Sequence, residues 1–153
     1  MQKIKFEIEI EAPANLVYRS MLGLDEIQHY EHWTAMFNPT STYEGNWEKG
    51  SKIYFVGTSP EGERGGMVSE IAEHIPSQFV SIRHIGILQG EKEVTDGPDV
   101  EQWAGMLENY SFNEENGVTT VTVETDMDQD YLDYFNETWP KALEALKSLV
   151  LSL

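Results

Sequence analysis

Ile4, Phe6, Ile8 and Ile10 alternate with Lys3, Lys5, Glu7, Glu9 and Glu11 at the start of the chain. A period of two places the apolar set on one face of a strand and the charges on the other, so the segment is predicted as a strand with one buried and one wet face. Ala12-Pro13-Ala14-Asn15 ends it, with Pro13 placed for the first turn of a helix. Leu16, Val17, Ser20, Met21 and Leu24 follow at helical spacing. Gly23 interrupts them, and Asp25 is positioned to cap a second short helix from Glu26 to about His32. The period of two then returns. Thr42 to Trp47, Lys52 to Val56, Gly65 to Ile75, Phe79 to Leu88, Trp103 to Phe112 and Val118 to Thr125 read as six further strands, punctuated by turn residues such as Pro60-Glu61-Gly62 and Asn116-Gly117. Gln89 to Gln102 reads as the longest exposed loop. The last segment changes period again: Leu132, Phe135, Trp139, Ala142, Leu143, Leu146 and Val150 trace an apolar stripe on a helix from about Asp130 to Leu151. Asp128 or Asp130 is its cap, and Pro140 deletes a hydrogen bond inside it and is expected to bend it.

Strands in succession with short connections imply an antiparallel meander, and a curved sheet with one apolar face needs a cover. Only the C-terminal helix is long enough. The expected fold is therefore α+β: a seven-stranded curved antiparallel sheet wrapped around a long C-terminal helix, with two short helices after strand one. Such a grip often leaves an apolar cavity between helix and sheet. The 153 residues suit one domain, 1–153, that needs neither disulfide nor metal to be stable; there is no Cys.

Charge narrows the partners. The net charge is −17 with His neutral, and no run of Lys or Arg forms a basic patch, which argues against nucleic acid and anionic lipid surfaces. The opening segment lacks the basic-then-apolar order of a signal peptide. No stretch approaches the roughly 18 uninterrupted apolar residues of a membrane span. A cytoplasmic protein without membrane insertion is the expectation.

Three constellations carry possible chemistry. His29 and His32, three apart near Glu26, share a helical face as zinc ligands would, but no HExxH or Cys completes the set. Asp126, Asp128 and Asp130 have the spacing of a calcium loop, yet Tyr131 stands where its Gly belongs, and capping is the better account. No metal and no cofactor is therefore expected. The third is His84 with Arg83 on one apolar strand and Glu108 with Tyr110 on the next. If those strands pair, one charged pair facing inward would orient a ligand's polar group or work as acid and base; facing outward, it would be an ordinary cross-strand pair. Alternation leaves both open. No Ser-His-Asp arrangement, P-loop or GxGxxG is legible.

The element order, carried by "APANLVYRSML", "HYEHW", "GGMVSEIAEHIPSQFVSIRHIG" and the closing "YFNETWPKALEALKSLV", resembles the SRPBCC/START-like (birch-pollen-allergen-like, helix-grip) superfamily. Within it, the close resembles homologues of the activator of heat-shock-protein-90 ATPase. The resemblance implies a central cavity for a small hydrophobic or amphipathic molecule such as a lipid, sterol or polyketide. Some superfamily members are cyclases or dehydratases. With the aromatic content, this nominates Trp33, Phe55, Met67, His84, Trp103, Glu108, Tyr110, Phe135 and Trp139 as ligand-lining residues, with Phe135 and Trp139 bordering the cavity and Trp33 and Trp103 near its mouth. The reading is non-catalytic by default; a cyclase or dehydratase would use His84 and Glu108. A third reading is a protein-interaction or stress-response module, with a protein partner or homodimer, in which the acidic loop Glu91–Glu101 meets a basic surface.

Overall fold

The computed structural model describes residues 2–102 and 104–153. The opening alternation forms β1 (Gln2–Ile10), followed by α1 (Ala14–Leu22) and α2 (Ile27–Thr34). Then come β2 (Thr42–Gly45), β3 (Lys52–Thr58), β4 (Arg64–Ile75), β5 (Phe79–Gln89), β6 (Lys92–Val94), α3 (Pro98–Glu101), β7 (Leu107–Glu115) and β8 (Val118–Met127). A 3-10 turn (Gln129–Tyr131) leads into α4 (Leu132–Leu151). Every strand pair is antiparallel, in the order β1-β8-β7-β5-β4-β3-β2. This is the expected helix-grip arrangement.

Several details differ from the sequence reading. The segment read as a loop from Gln89 to Gln102 contains an eighth strand, β6, which folds back on β5 and pairs Lys92 with Gln89 and Val94 with Ile87. Only three residues long, it offers too little alternation to be recognised. Helix α2 starts after Glu26, and Asp25 does not cap it: its carboxylate sits 3.1 Å from Arg19 Nε. The first turn of α1 is capped from far away, because Glu114 on β7 accepts from the Ala14 N–H at 2.7 Å. Asp128 Oδ1 accepts from the Asp130 N–H at 3.0 Å, closing the turn that precedes α4. Helix α4 runs as one element through Pro140, whose missing N–H leaves the Asn136 carbonyl without its usual donor.

The core lies between the concave face of the sheet and the helices. Helix α4 buries Thr138, Trp139, Ala142, Leu143, Leu146 and Val150. Facing them are Ile53, Ile71, Val80, Ile82, Val121 and Val123 of the sheet, and Val17, Met21 and Trp33 of α1 and α2. Each such side chain contributes about 1.5–3 kcal/mol by leaving water. No helix among the described residues is long and apolar enough to cross a membrane.

Strand alternation is broken twice, and both breaks matter. The β4–β5 register shifts between Val68 and Ser69 and again between Ile71 and Glu73. Each bulge adds a residue to one strand, so side chains beyond it change face. The first lets His84 and Ile87, three residues apart on β5, stand opposite Ser69 and Met67. The second sets His74 opposite the buried Val80, where its ring meets the Tyr18 hydroxyl and its Nδ1 donates to the Trp47 carbonyl at 2.6 Å.

Strand β4 also approaches β3 very closely at one point. A Cβ on Gly66 would lie 1.9 Å from the Phe55 carbonyl oxygen, so only glycine lets the two strands meet there. Gly66→Ala is expected to lower unfolding free energy by roughly 2–4 kcal/mol in a denaturant titration. Gly62→Ala, in a turn with open space around it, should cost less, about 1–2 kcal/mol, all of it from the left-handed backbone (φ 82°) that glycine adopts there. Equal losses for the two would contradict this account.

Candidate functional site

The two residues whose direction alternation left open both point inward. Glu108 on β7 pairs with the buried Ile82 on β5, and His84 stands one inward position further along that strand. The β5–β7 ladder continues there, with the His84 N–H donating to the Met106 carbonyl and the Gly105 N–H to the His84 carbonyl. Arg83 points the other way and binds Glu70 on the outer face at 2.8 Å.

A polar chain results in an otherwise apolar wall. Ser69 Oγ lies 2.7 Å from His84 Nδ1, His84 Nε2 lies 3.3 Å from Glu108 Oε1, and the Tyr110 hydroxyl donates to the second oxygen of Glu108. Ser69 is fully buried; the His84 side chain is 9% exposed and that of Glu108 22%. Burial pushes the Glu108 carboxyl up, but the hydrogen bond and charge of His84 and the Tyr110 hydroxyl outweigh it and hold the carboxyl below its ordinary value. An ionised carboxylate only accepts, so Nε2 carries a hydrogen toward it. Burial first, and the Glu108 charge second, push the Tyr110 phenol well above its ordinary value; the same two causes act on Tyr30. Ser69, fully buried, fixes the orientation of the imidazole through that bond.

The ring of Phe55 links this chain to an open cleft. The cleft, of about 400 Å³, is lined by Tyr30 of α2, by Asn38, Ser41 and Thr42 before and within β2, by Phe55 to Thr58 of β3, and by Gly65 and Gly66 of β4. The Phe55 ring stands 6.3 Å from the His84 ring and 6.3 Å from that of Tyr30. Tyr30 is held by α2 and by Gly23, whose left-handed backbone lets the Tyr30 Cβ come close behind α1. The Phe55 ring thus adjoins both the cleft and the imidazole, while the Glu108 side chain keeps 22% exposure.

The other nominated residues divide. Phe55 lines the cleft, and Met67 is half-buried opposite it across the β3–β4 ladder. Trp33 is buried, with its indole N–H donating to the Met21 carbonyl at 2.9 Å. Trp139 is 3% exposed among the rings of Phe6, Trp33, Phe37 and Tyr110, which fill the space where a gap along α4 was expected. Phe135 packs on Phe37 and does not border the cleft. Trp103 lies outside the described residues. Sequence reasoning missed Tyr30, Phe37 and Ser69. The spacing of Tyr30, Trp33 and Phe37 was a usable helical signal; Ser69 carried none, because its role depends on the bulge beside it.

Neither candidate metal cluster is assembled. His29 Nε2 sits 3.4 Å from Glu26, His32 is exposed, and Asp126 accepts from the Leu107 N–H and pairs with Lys3. Among the described residues no group of three or more His, Asp or Glu converges as metal ligands would.

An antiparallel sheet gripping a C-terminal helix, with two short helices after its first strand, defines a START-like helix-grip domain. The family described as "Activator of Hsp90 ATPase homolog 1-like protein" matches residues 11–150, and the chain belongs to that family. Protein NE0264 from Nitrosomonas europaea has a similar structure, with TM-score 0.72 at 18% identity over 98% of this chain and 94% of that one. The Aha1 dimer from Colwellia psychrerythraea gives 0.69 at 21% identity, covering 98% and 96%. DynU16, a protein in the dynemicin biosynthetic locus, gives 0.66 at 11% identity, covering 97% of this chain and 46% of that one. At such identities the likeness is one of fold. None of the curated protein sequences matches this chain.

The buried ionisable groups set the pH response. The folded-state pKa of Glu108 is lowered, so its contribution is full above the ordinary carboxyl value of 4.5 and is lost as pH falls through the depressed value. Glu108→Gln should therefore cost roughly 1–3 kcal/mol near neutral pH, with the difference from wild type shrinking below about pH 4.5. The phenols of Tyr30 and Tyr110 are raised, so stability is full below 10.0 and falls as pH climbs past it, where the unfolded chain releases those protons first. Phenolate absorbance should show at least two of the seven tyrosines titrating only with unfolding. Smooth titration of all seven in the folded protein would contradict the burial.

Proposed function

We propose that the chain binds a small, neutral, amphipathic molecule at this cleft, its apolar body against Tyr30 and Phe55 and a hydroxyl or carbonyl group directed at His84 and Glu108. One observation carries the reading: an ionised carboxylate hydrogen-bonded to a histidine lies next to the Phe55 ring that lines an open cleft. Burying such a pair is costly unless every partner is in place, and polar groups of this kind in an apolar wall are how pockets orient a ligand. The net charge of −17, and Glu63 at the cleft rim, favour a neutral ligand over an anion.

The same pair favours one alternative. A carboxylate and an imidazole in contact at 3.3 Å can pass a proton to and from a hydroxyl or carbonyl of the ligand, as in dehydration or ring closure.

Trp33 stands edge-on to Tyr30 at 5.4 Å, so tryptophan emission reports occupancy of the cleft. Titration with neutral sterols and aromatic polyketides should shift emission for at least one class, with fatty acid anions weaker. Native mass spectrometry of freshly purified protein should find the same class bound. Phe55→Ala is expected to weaken binding about tenfold. No shift with any class and no co-purifying molecule would end the reading. Turnover of a bound hydroxy or keto compound with a bell-shaped pH profile, abolished in Glu108→Gln, would decide for the catalytic alternative.

A further inference from the structure

The sheet has two ends of very different character. At one, β2 is four residues long; at the other, β1 presents nine residues, and among the described residues no strand besides β8 pairs with it, the Ala12 N–H bond to the Ile10 carbonyl closing only its last residue. An edge of this length is a template for a further strand. Its inward side chains Ile4, Phe6 and Ile8 are only half-buried, whereas Ile10, at the end of the strand, is fully buried.

The outward face of β1 reads Lys3, Lys5, Glu7, Glu9. Across the β1–β8 ladder, Lys3 and Lys5 stand opposite Asp126 and Glu124, but Glu7 and Glu9 stand opposite Thr122 and Thr120. The acids therefore gain no cation from β8, and the nearest is Lys5 of their own strand, 3.8 Å from Glu7. An antiparallel second β1 supplies what is missing in one register only. With Phe6 opposite Phe6, Lys3 meets Glu9 and Lys5 meets Glu7, four opposite-charge pairs in all. A shift of two residues either way, which keeps the faces matched, sets Lys5 against Lys5 or Glu7 against Glu7.

We infer that two copies of this chain pair edge to edge through β1 in that register, making one continuous sheet across a two-fold axis at Phe6. The occupant of this edge is a second copy because the edge is complementary to itself, and an isologous contact closes without forming fibres. At −17 per copy the two chains repel at long range, so the local charge order is what selects this approach.

Sedimentation equilibrium of the full chain at physiological salt, over concentrations reaching about a hundred micromolar, is expected to show a monomer–dimer equilibrium. Lys3→Glu with Lys5→Glu makes the face wholly acidic and should weaken self-association about a hundredfold, as should Glu7→Lys with Glu9→Lys, which makes it wholly basic. Mixed together, the two double variants should associate at least as tightly as wild type, because every cross-strand pair is then opposite in sign. Unchanged thermal unfolding of each variant separates this from loss of folding. A monomer at all concentrations, a dimer that the double substitutions leave intact, or variants that fail to associate when mixed would each overturn the proposal.

Discussion

The Trp139 indole holds four separate parts of the chain against one another. Phe6 of β1 stacks on it, Trp33 of α2 and Phe37 beyond that helix close its sides, and Tyr110 of β7 meets it edge-on. Helix α4 has no other way to grip a concave sheet, because a helix touches such a surface along one narrow stripe and the widest side chain sets the separation. The small neighbours Thr138, Ala142 and the sheet's Val121 and Val123 then allow close approach on either side. The rings of Phe55 and Tyr30 beside His84 extend this cluster through Trp33.

Burial changes what the polar chain is worth. In water, a histidine–glutamate contact at 3.3 Å would contribute little. In this largely buried setting the effective dielectric is lower, the carboxylate stays ionised because His84 and Tyr110 both serve it, and loss of either would raise the cost of that charge. The arrangement is stiff at its centre, where Ser69 fixes the imidazole, and adjustable at its edge, where Phe55 and Tyr30 meet the cleft. A site of this build discriminates by what can replace the rings.

The fold was legible because alternation and helical spacing are strong in the long elements: β1, β8 and α4 each turn one clean apolar face inward. The family resemblance rested on the same patterns. What escaped notice was short or displaced by a bulge. Strand β6 has three residues, too few for any period. His84 and Ile87 share a face though three apart, and His74 turns inward after Glu73, so parity counted from the start of β4 or β5 gives the wrong face beyond each register shift. A bulge has no signature in apolar patterning, and the one in β4 decides that His74 meets the Tyr18 hydroxyl and the Trp47 carbonyl and not water. Tyr30 was passed over for a different reason: its importance comes from Gly23 and from the turn that brings α2 behind α1, which is tertiary information.

The pairing of β1 with β8 joins Gln2 to Met127 and Ile10 to Thr119. On the ribosome this means that the opening strand has no partner until more than a hundred further residues have emerged, a wait of roughly ten seconds at usual elongation rates. For that interval Ile4, Phe6, Ile8 and Ile10 are exposed on a nascent chain, the kind of segment that aggregates or recruits chaperones. The interleaved Lys and Glu residues keep that segment soluble while it waits. The hairpins from β3 to β5 and from β7 to β8 can close locally in the meantime, and the sheet is completed last, from its two ends in the sequence.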